Sequence, residues 1–411
     1  MASKKTADQV FVRELNLSLV LRYIHNEAPV SRAQIAVATG LNKSTVSSLV
    51  EDLIGRQLIH ETGINPGSPG RPATFLEINP QAGSIIGVEF GVDFVAVALT
   101  DFARTILWRE TVNTSPAETQ YKMIAQTLSL AHRAMTVSRE RNFDMLGIGL
   151  AAPGPVDLNE GLLVYAPNLQ WKNVPLRQIF SESTGLKVFV ENDANAAAIG
   201  EHLFGTARND TDFVLVYIGV GIGGGLFLNG KLYRGKNGYA GEIGHSPILG
   251  EPVQSPCHCG NFGCWEAYAN QHKIIQNVYS SLDTNHDGII RRLMDEQTSP
   301  LTIAILKQAA DAGDSLALDT LSNAGEVIGQ GIASLINIFN PEKIILGGPL
   351  SIAEKYLLPS IKSAISEFVY PVTNHNLEIG FSNFGSDVSL IGAIAIVVED
   401  ILSNPSNIER R

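Results

Sequence analysis

Apolar positions at the start of the chain recur with a helical period and later give way to strand-like runs. Across 13–26, RELNLSLVLRYIHN, Leu15, Leu19, Tyr23 and Ile24 are expected on one helical face, and Pro29 closes the segment. Ser31 is placed to cap a short helix, RAQIAVAT, that stops at Gly40. In LNKSTVSSLVEDLIGRQ, Asn42 or Ser44 can cap a third helix whose buried stripe is Val46, Leu49, Val50, Leu53 and Ile54. Two helices joined by a short glycine turn read as a helix-turn-helix. An ordinary helical hairpin is the plain alternative. The polar first turn, with Asn42, Lys43, Ser44 and Thr45, favours a reader of base edges. LIHET and ATFLEI then flank GINPGSPGRP, which reads as a hairpin wing with Arg71 at its tip. A bare interdomain linker has the same composition.

From residue 84 the pattern changes. SIIGVEFGVDFVAVALTD reads as two strands around a tight turn, and MLGIGLAAP as a strand ending in APGPVD. KVFVEND runs straight into the helix ANAAAIGEHLFG, and DFVLVYIGVGIGGGLFLNGKLYRG folds back at its glycines. A long helix, ALDTLSNAGEVIGQGIASLINIFN, ends before Pro341 and is followed by the strand KIILGGPL. Strands alternating with helices predict an α/β architecture, and the two glycine-turn strand pairs hint at two related lobes with a cleft between them. The expected division is a head over 1–82, a small lobe over 83–190 completed by the C-terminal helix (about 389–411), and a large lobe over 191–388.

Composition sharpens this. The chain has 411 residues, 45% hydrophobic and only 17% charged, enough for two or three packed domains. No apolar run approaches the ~18 residues of a membrane span. The start, MASKKTADQVFVREL, has no apolar segment after its lysines, so a cytoplasmic protein is expected. The net charge of −11 is uneven: residues 1–82 hold eight Lys/Arg against seven Asp/Glu, so the acidity lies in the rest. A near-neutral head on an acidic body is compatible with a nucleic-acid reader on a body that avoids polyanions.

Three cysteines exclude a disulfide framework. In GEIGHSPILGEPVQSPCHCGNFGCWEAYAN, His245 with Cys257, Cys259 and Cys264 fits a closed tetrahedral zinc site, with His258 as an alternative fourth ligand. Gly260 and Gly263 supply the tight turn. Nearby Asp283, Asn285 and Asp287 match half a calcium loop, but Met294 stands where the bidentate carboxylate is needed, so a plain loop is expected. Asn192 and Asp193 end a strand, where α/β sheets bind ligands, and an amide beside a carboxylate suits paired hydroxyls. Asp193 could also serve as a general base. Glu242 and Glu266 flank the metal ligands and would be fixed near the same place. For any one of these acids alone, a helix cap or surface charge is the bland reading. Gly219, Gly221 and Gly223–Gly225 could admit a phosphate, or merely form a tight hairpin.

These residues resemble the ROK family, which groups sugar-responsive repressors with sugar kinases. GEIGH followed by CHCGNFGCWE carries the resemblance, with APGPVD, APNLQWKNVPL, VENDAN and GVGIGGGLFLNGKLYRG in order. The head, with FVRELN, SRAQIAVATGLNKSTVSSLV and GRPATFLEINP, looks most like the xylose repressor group. The resemblance implies a winged helix-turn-helix followed by a two-lobed actin/hexokinase-like fold. It implies sugar contacts from Asn168, Asn192, Asp193, Glu242, His245 and Glu266, with Gly154 a weaker candidate. Structural zinc would sit on His245, Cys257, Cys259 and Cys264. DNA contacts would come from Arg32, Asn42, Lys43, Ser44, Thr45, Ser47 and Arg71. The implied partners are operator DNA, read as a homodimer, and a monosaccharide effector, D-xylose or glucose-like. The kinases carry Asp-x-Gly-Gly-Thr in the first phosphate loop; this chain has Glu89, Phe90, Gly91, Val92 and Asp93, and Val220 replaces a threonine in the second. Lost hydroxyls and an added carboxylate oppose a polyphosphate. Asp193, the kinase-type base position, is then expected to bind sugar without catalysis. The competing expectation is an ATP-dependent sugar kinase with an accessory head.

Overall fold

The structure, a computed structural model, describes residues 9–64, 74–115, 119–248, 256–282, 288–372 and 377–408. Its first helix, Gln9–Glu27, buries Leu17, Val20, Leu21 and Ile24. These stand at i, i+3, i+4 and i+7, the spacing of one inward stripe. Leu15 and Leu19 depart from expectation: they are 54% and 43% exposed. The segment is apolar at so many positions that it carries two candidate stripes, and packing against the rest of the chain selects between them.

Ser31 caps Arg32–Thr39 through a capping box with Gln34, and Gly40 ends that helix at φ 70°. Asn42, rather than Ser44, caps the third helix, Lys43–Gly55. Val46, Leu49, Val50 and Leu53 are buried there, with Ile54 half-buried. Strands Ile59–Ile64 and Thr74–Ile78 pair antiparallel, and Val30–Ser31 adds to the far edge of the second. The tip between them, with Arg71, lies outside the described residues, as do Asp283, Asn285 and Asp287.

A short turn, Pro80–Ala82, leads into the first lobe sheet. Its order is 188–192, 145–152, 84–90, 94–101 and 106–113, the last two strands antiparallel to their neighbours. The period of two is visible at Ile85 and Ile86, which enter different apolar clusters on the two faces. The helix Gln120–Glu140 covers one face, and the tail helix, Val388–Ser403, covers the other. The second sheet runs 231–232, 222–228, 213–218, 343–347 and 378–381. It too joins an antiparallel pair to parallel strands, so one construction occurs twice. The long helices Ser315–Phe339 and Glu354–Phe368 pack together in its core.

The head is not a separate bead. Leu17, Val20, Leu21 and Ile24 belong to the same apolar cluster as Ile394, Val397, Ile401 and Leu402 of the tail helix. Between the sheets lies the pocket helix, Asp193–Phe204, which leaves the end of strand 188–192 and packs along the tail helix. Among the described residues no helix is long and apolar enough to cross a membrane.

Candidate functional site

A cleft of about 420 Å³ separates the lobes, within the range of small-molecule sites. Asn168, Asn192, Asp193, Glu242, His245 and Glu266 all line it, as does Gly154. The fold brings together six residues spread over a hundred positions of sequence.

At one corner the pocket helix begins. Asn192 Oδ1 accepts the amides of Ala194 and Asn195 at 3.0 and 3.1 Å, and its Nδ2 donates to the Gly154 carbonyl and to Asp193 Oδ1 at 3.2 and 3.0 Å. The amide is thus committed to capping and to aiming its neighbour. The Asp193 carboxylate also accepts the Ala194 amide, at 2.8 Å. Burial, with Glu242 adding its charge, pushes the Asp193 carboxyl up to about 7 against the hydrogen bonds that favour ionisation. Asn168, also in the cleft lining, has its Oδ1 buried without a hydrogen-bond partner among the described residues, which leaves an acceptor free for a ligand's donor.

The opposite corner is built on the cysteine loop. Ligand atoms of His245, Cys257, Cys259 and Cys264 lie within 4.8 Å of one another. Cys257 Sγ is 3.6 Å from His245 Nδ1, and Cys259 Sγ is 3.7 Å from Cys264 Sγ. A tetrahedral zinc with Zn–S of about 2.3 Å and Zn–N of about 2.0 Å requires ligand edges of about 3.5–3.8 Å, which these two edges match while the whole set lies within 4.8 Å. His258 is exposed and outside the cluster, so the histidine that stands beside the three cysteines is His245. Gly260 and Gly263 adopt φ 93° and 81°, conformations that a side chain would strain. Without a cation, burial and then Glu266 push the Cys257 thiol up, and that thiol donates to Glu266 Oε1 at 2.8 Å. Glu266 also accepts the Ile222 amide at 3.4 Å, and Glu242 approaches His245 Nε2 at 3.9 Å. His245 thus turns Nδ1 to the cysteines and Nε2 toward Glu242. Burial, followed by the charge of Glu266, raises the Glu242 carboxyl, although His245 opposes this.

Two further residues belong to the site: Tyr217, which no motif marks, and Glu89, which the sequence offers only as part of the first phosphate loop. Both line the cleft, and the Tyr217 hydroxyl donates to Glu89 Oε1 at 3.4 Å. Burial, then the charge of Asp193, pushes Glu89 up to about 8. The available signals were weak: a charged residue inside an apolar strand, and a tyrosine two positions before a glycine loop. Glu191 was missed. It is buried and holds Arg234 at 2.8 Å, tying the strand behind Asn192 to the loop before Glu242. In all, Glu89, Asp93, Asp193, Glu242 and Glu266 line the cleft, and its described lining includes no lysine or arginine.

In the head, Asn42 Oδ1 accepts the Thr45 amide at 2.8 Å and the Ser44 hydroxyl at 2.7 Å. Lys43 and Ser44 are exposed, while Thr45 and Ser47 are half-buried, and Ser47 donates to the Lys43 carbonyl at 2.9 Å. Arg32 pairs with Glu61 at 2.8 Å on the surface. Arg32 stands apart at the start of the second helix, whereas the other described candidates share the first turns of the third.

A sequence model of the ROK family matches residues 85–400. The chain is 36% identical over 400 residues to the xylose repressor of Bacillus spizizenii, across 96% of this chain and 98% of that protein. Among solved structures it resembles a ROK family transcriptional regulator described as a homolog of the E. coli MLC protein, with a TM-score of 0.79 and 29% identity over 96% of this chain and 97% of the other. A ROK family glucokinase from Streptomyces griseus, solved with glucose and AMPPNP, matches with a TM-score of 0.69 and 29% identity over 76% of this chain and 99% of the glucokinase.

Proposed function

This chain belongs to the ROK family, and on that premise we propose that it is a sugar-responsive transcriptional repressor without kinase activity. The head reads operator DNA as a homodimer in the cytoplasm, with Lys43, Ser44, Thr45 and Ser47 entering the major groove, Asn42 holding that turn in shape, and Arg32 and the wing's Arg71 on flanking backbone or minor groove. A monosaccharide, D-xylose first among candidates, binds between Asp193, Asn168, Glu242, His245 and Glu266 and releases the operator. A coupling of about 1–3 kcal/mol changes operator affinity about 5–150-fold.

The observation that carries this reading is a polyol-type cleft, lined by five carboxylates, in one piece with a helix-turn-helix head. Carboxylates accept sugar hydroxyls well and repel the phosphates of a nucleotide. By the family resemblance, Glu89 and Asp93 fall in the segment that corresponds to the kinases' first phosphate loop, and the charge there is that of Asp93, because burial keeps the Glu89 carboxyl protonated up to about 8. Zinc would be held by His245 Nδ1 and the three cysteine sulfurs. It would supply a closed structural joint that fixes Glu266 and His245, with no open position for a reacting water.

The test is fluorescence anisotropy of the full chain on duplexes from upstream of its own gene, with and without a panel of pentoses and hexoses. Nanomolar-range binding that D-xylose weakens is expected. Sugar-dependent ADP release, lost in Asp193→Asn, would replace this reading with the kinase.

A further inference from the structure

The first helix of the head is anchored at two places. On the side of the tail helix, Arg22 forms a two-pronged pair with Glu399 at 2.9 and 2.5 Å, and Ser18 Oγ donates to the Leu402 carbonyl at 2.7 Å. On the side of the pocket helix, His25 packs on Phe204 with ring centroids 5.9 Å apart, and Arg208 donates to the Asn26 carbonyl at 2.8 Å.

Those two helices belong to different lobes. The tail helix lies directly on the first sheet: a Cβ at Gly149 would sit 1.8 Å from the Ala393 carbonyl oxygen. The pocket helix lies directly on the second: a Cβ at Gly225 would sit 2.4 Å from Ala198 Cβ. A Cβ at Gly225 would also meet the Ala194 carbonyl oxygen at 2.6 Å, so at both places strand and helix backbones approach closely and each helix is seated on its own sheet. Where the helices meet each other, the closest contact is made of small residues. A Cβ at Gly392 would fall 2.1 Å from the Ala196 carbonyl oxygen, and one at Gly200 would be 3.1 Å from Gly392 itself. Ile199, Leu203 and Phe204 join Leu390, Ile394 and Val397 in one apolar cluster beside this small-residue seam, and packed helices of this kind move against each other by small shear steps. The seam starts in the cleft, where Ser389 Oγ donates to the Asp193 carbonyl at 3.2 Å, and it ends under the head.

We propose that Arg208 and Arg22 are positioning residues of the sugar response, because together they tie the head's first helix across the lobe seam. A sugar that bridges the cleft draws the lobes together and shifts the pocket helix along the tail helix. The first helix cannot keep both anchors unchanged, so the head turns. The inference rests on the repressor reading and names the parts through which it works. It needs no two-state element inside the head itself.

The experiment uses the full chain, its operator duplex, and D-xylose and D-glucose at saturation. The quantity read is the ratio of operator affinities without and with sugar. Arg208→Ala and Glu399→Gln each cut one anchor, and Arg133→Ala removes an exposed pair with Glu110 away from the seam. Calorimetry gives the sugar affinity of each variant without DNA. The two anchor variants are expected to shrink the ratio about threefold or more while the DNA-free sugar affinity stays unchanged, and Arg133→Ala to keep the wild-type ratio. Should an anchor variant lose operator binding, the reversed pair Arg22→Glu with Glu399→Arg is measured instead: restored binding with the wild-type ratio supports the clamp, and continued loss overturns it. Wild-type ratios in both anchor variants also overturn it. A wild-type chain that binds no duplex, or ignores sugar, removes the repressor reading and not merely this inference.

Discussion

Two helices of this chain start alike and serve opposite ends of the molecule. Lys43–Gly55 and Asp193–Phe204 are both capped by an asparagine whose side-chain oxygen accepts an amide of the first turn. In the head the cap is exposed and Lys43 follows it, so the positive end of the helix faces solvent with a cation beside it. In the cleft the cap is followed by Asp193, which takes the Ala194 amide and stands among other acids. The first start is ready for a phosphate. The second places its own carboxyl, which burial keeps protonated up to about 7, among other acids. The residue after the cap and its burial, rather than the capping motif, set what each helix can bind.

Asp193→Asn should break the comparison most severely. Loss of a charged acceptor is expected to weaken sugar binding about 10–100-fold by calorimetry, with operator affinity unchanged. Unchanged sugar affinity would show that Asp193 is only part of a cap. Next in size is Cys259→Ser, which removes one donor of the metal cluster. It should weaken sugar binding about tenfold or more and lower the melting temperature, because Glu266 and His245 lose their common anchor. Equal sugar response in a metal-stripped wild-type protein would take the metal out of the account.

The pH dependence separates the two helix starts without mutation. The raised Asp193 carboxyl keeps its proton in the folded chain up to about 7, whereas an ordinary aspartate loses it near pH 4. Its contribution to folding is therefore present at low pH and lost as pH rises through that window, and Glu89 behaves likewise up to about 8. Sugar binding to the ionised form is expected to strengthen from pH 6 to 8 by at most about tenfold, an increase absent in Asp193→Asn. A flat profile in the wild type would mean that the carboxylate does not accept the sugar. The smallest effect is assigned to Lys43→Ala, which should weaken all duplexes by a few fold and reduce the salt slope by about 1. An unchanged salt slope would remove Lys43 from the phosphate contacts.

What the sequence made legible is what neighbouring residues decide. Ser31 with Gln34, Gly40, the Asn42 cap, the hairpin at Gly219–Gly225 and the close set of cysteines are all local patterns, and each stands in the structure where its chemistry needs it. The failures are non-local. Leu15 and Leu19 face solvent because the tail helix, some 380 residues away in sequence, selects the other stripe. Arg22 meets Glu399 across 377 positions, and no periodicity foretells that pairing. Glu89 and Tyr217 touch only because two lobes face each other across the cleft. The helix Gln120–Glu140, which covers a sheet face, and the edge strand Ile106–Asn113 carry no motif that marks them in the sequence.

The central claim, that one chain couples a sugar cleft to a DNA-reading head, is tested most directly by its reciprocity. Sugar affinity should be measured by calorimetry on the full chain, first free and then saturated with operator duplex. The account predicts that bound DNA weakens D-xylose by the same factor by which D-xylose weakens DNA. An identical sugar affinity in both states would contradict it.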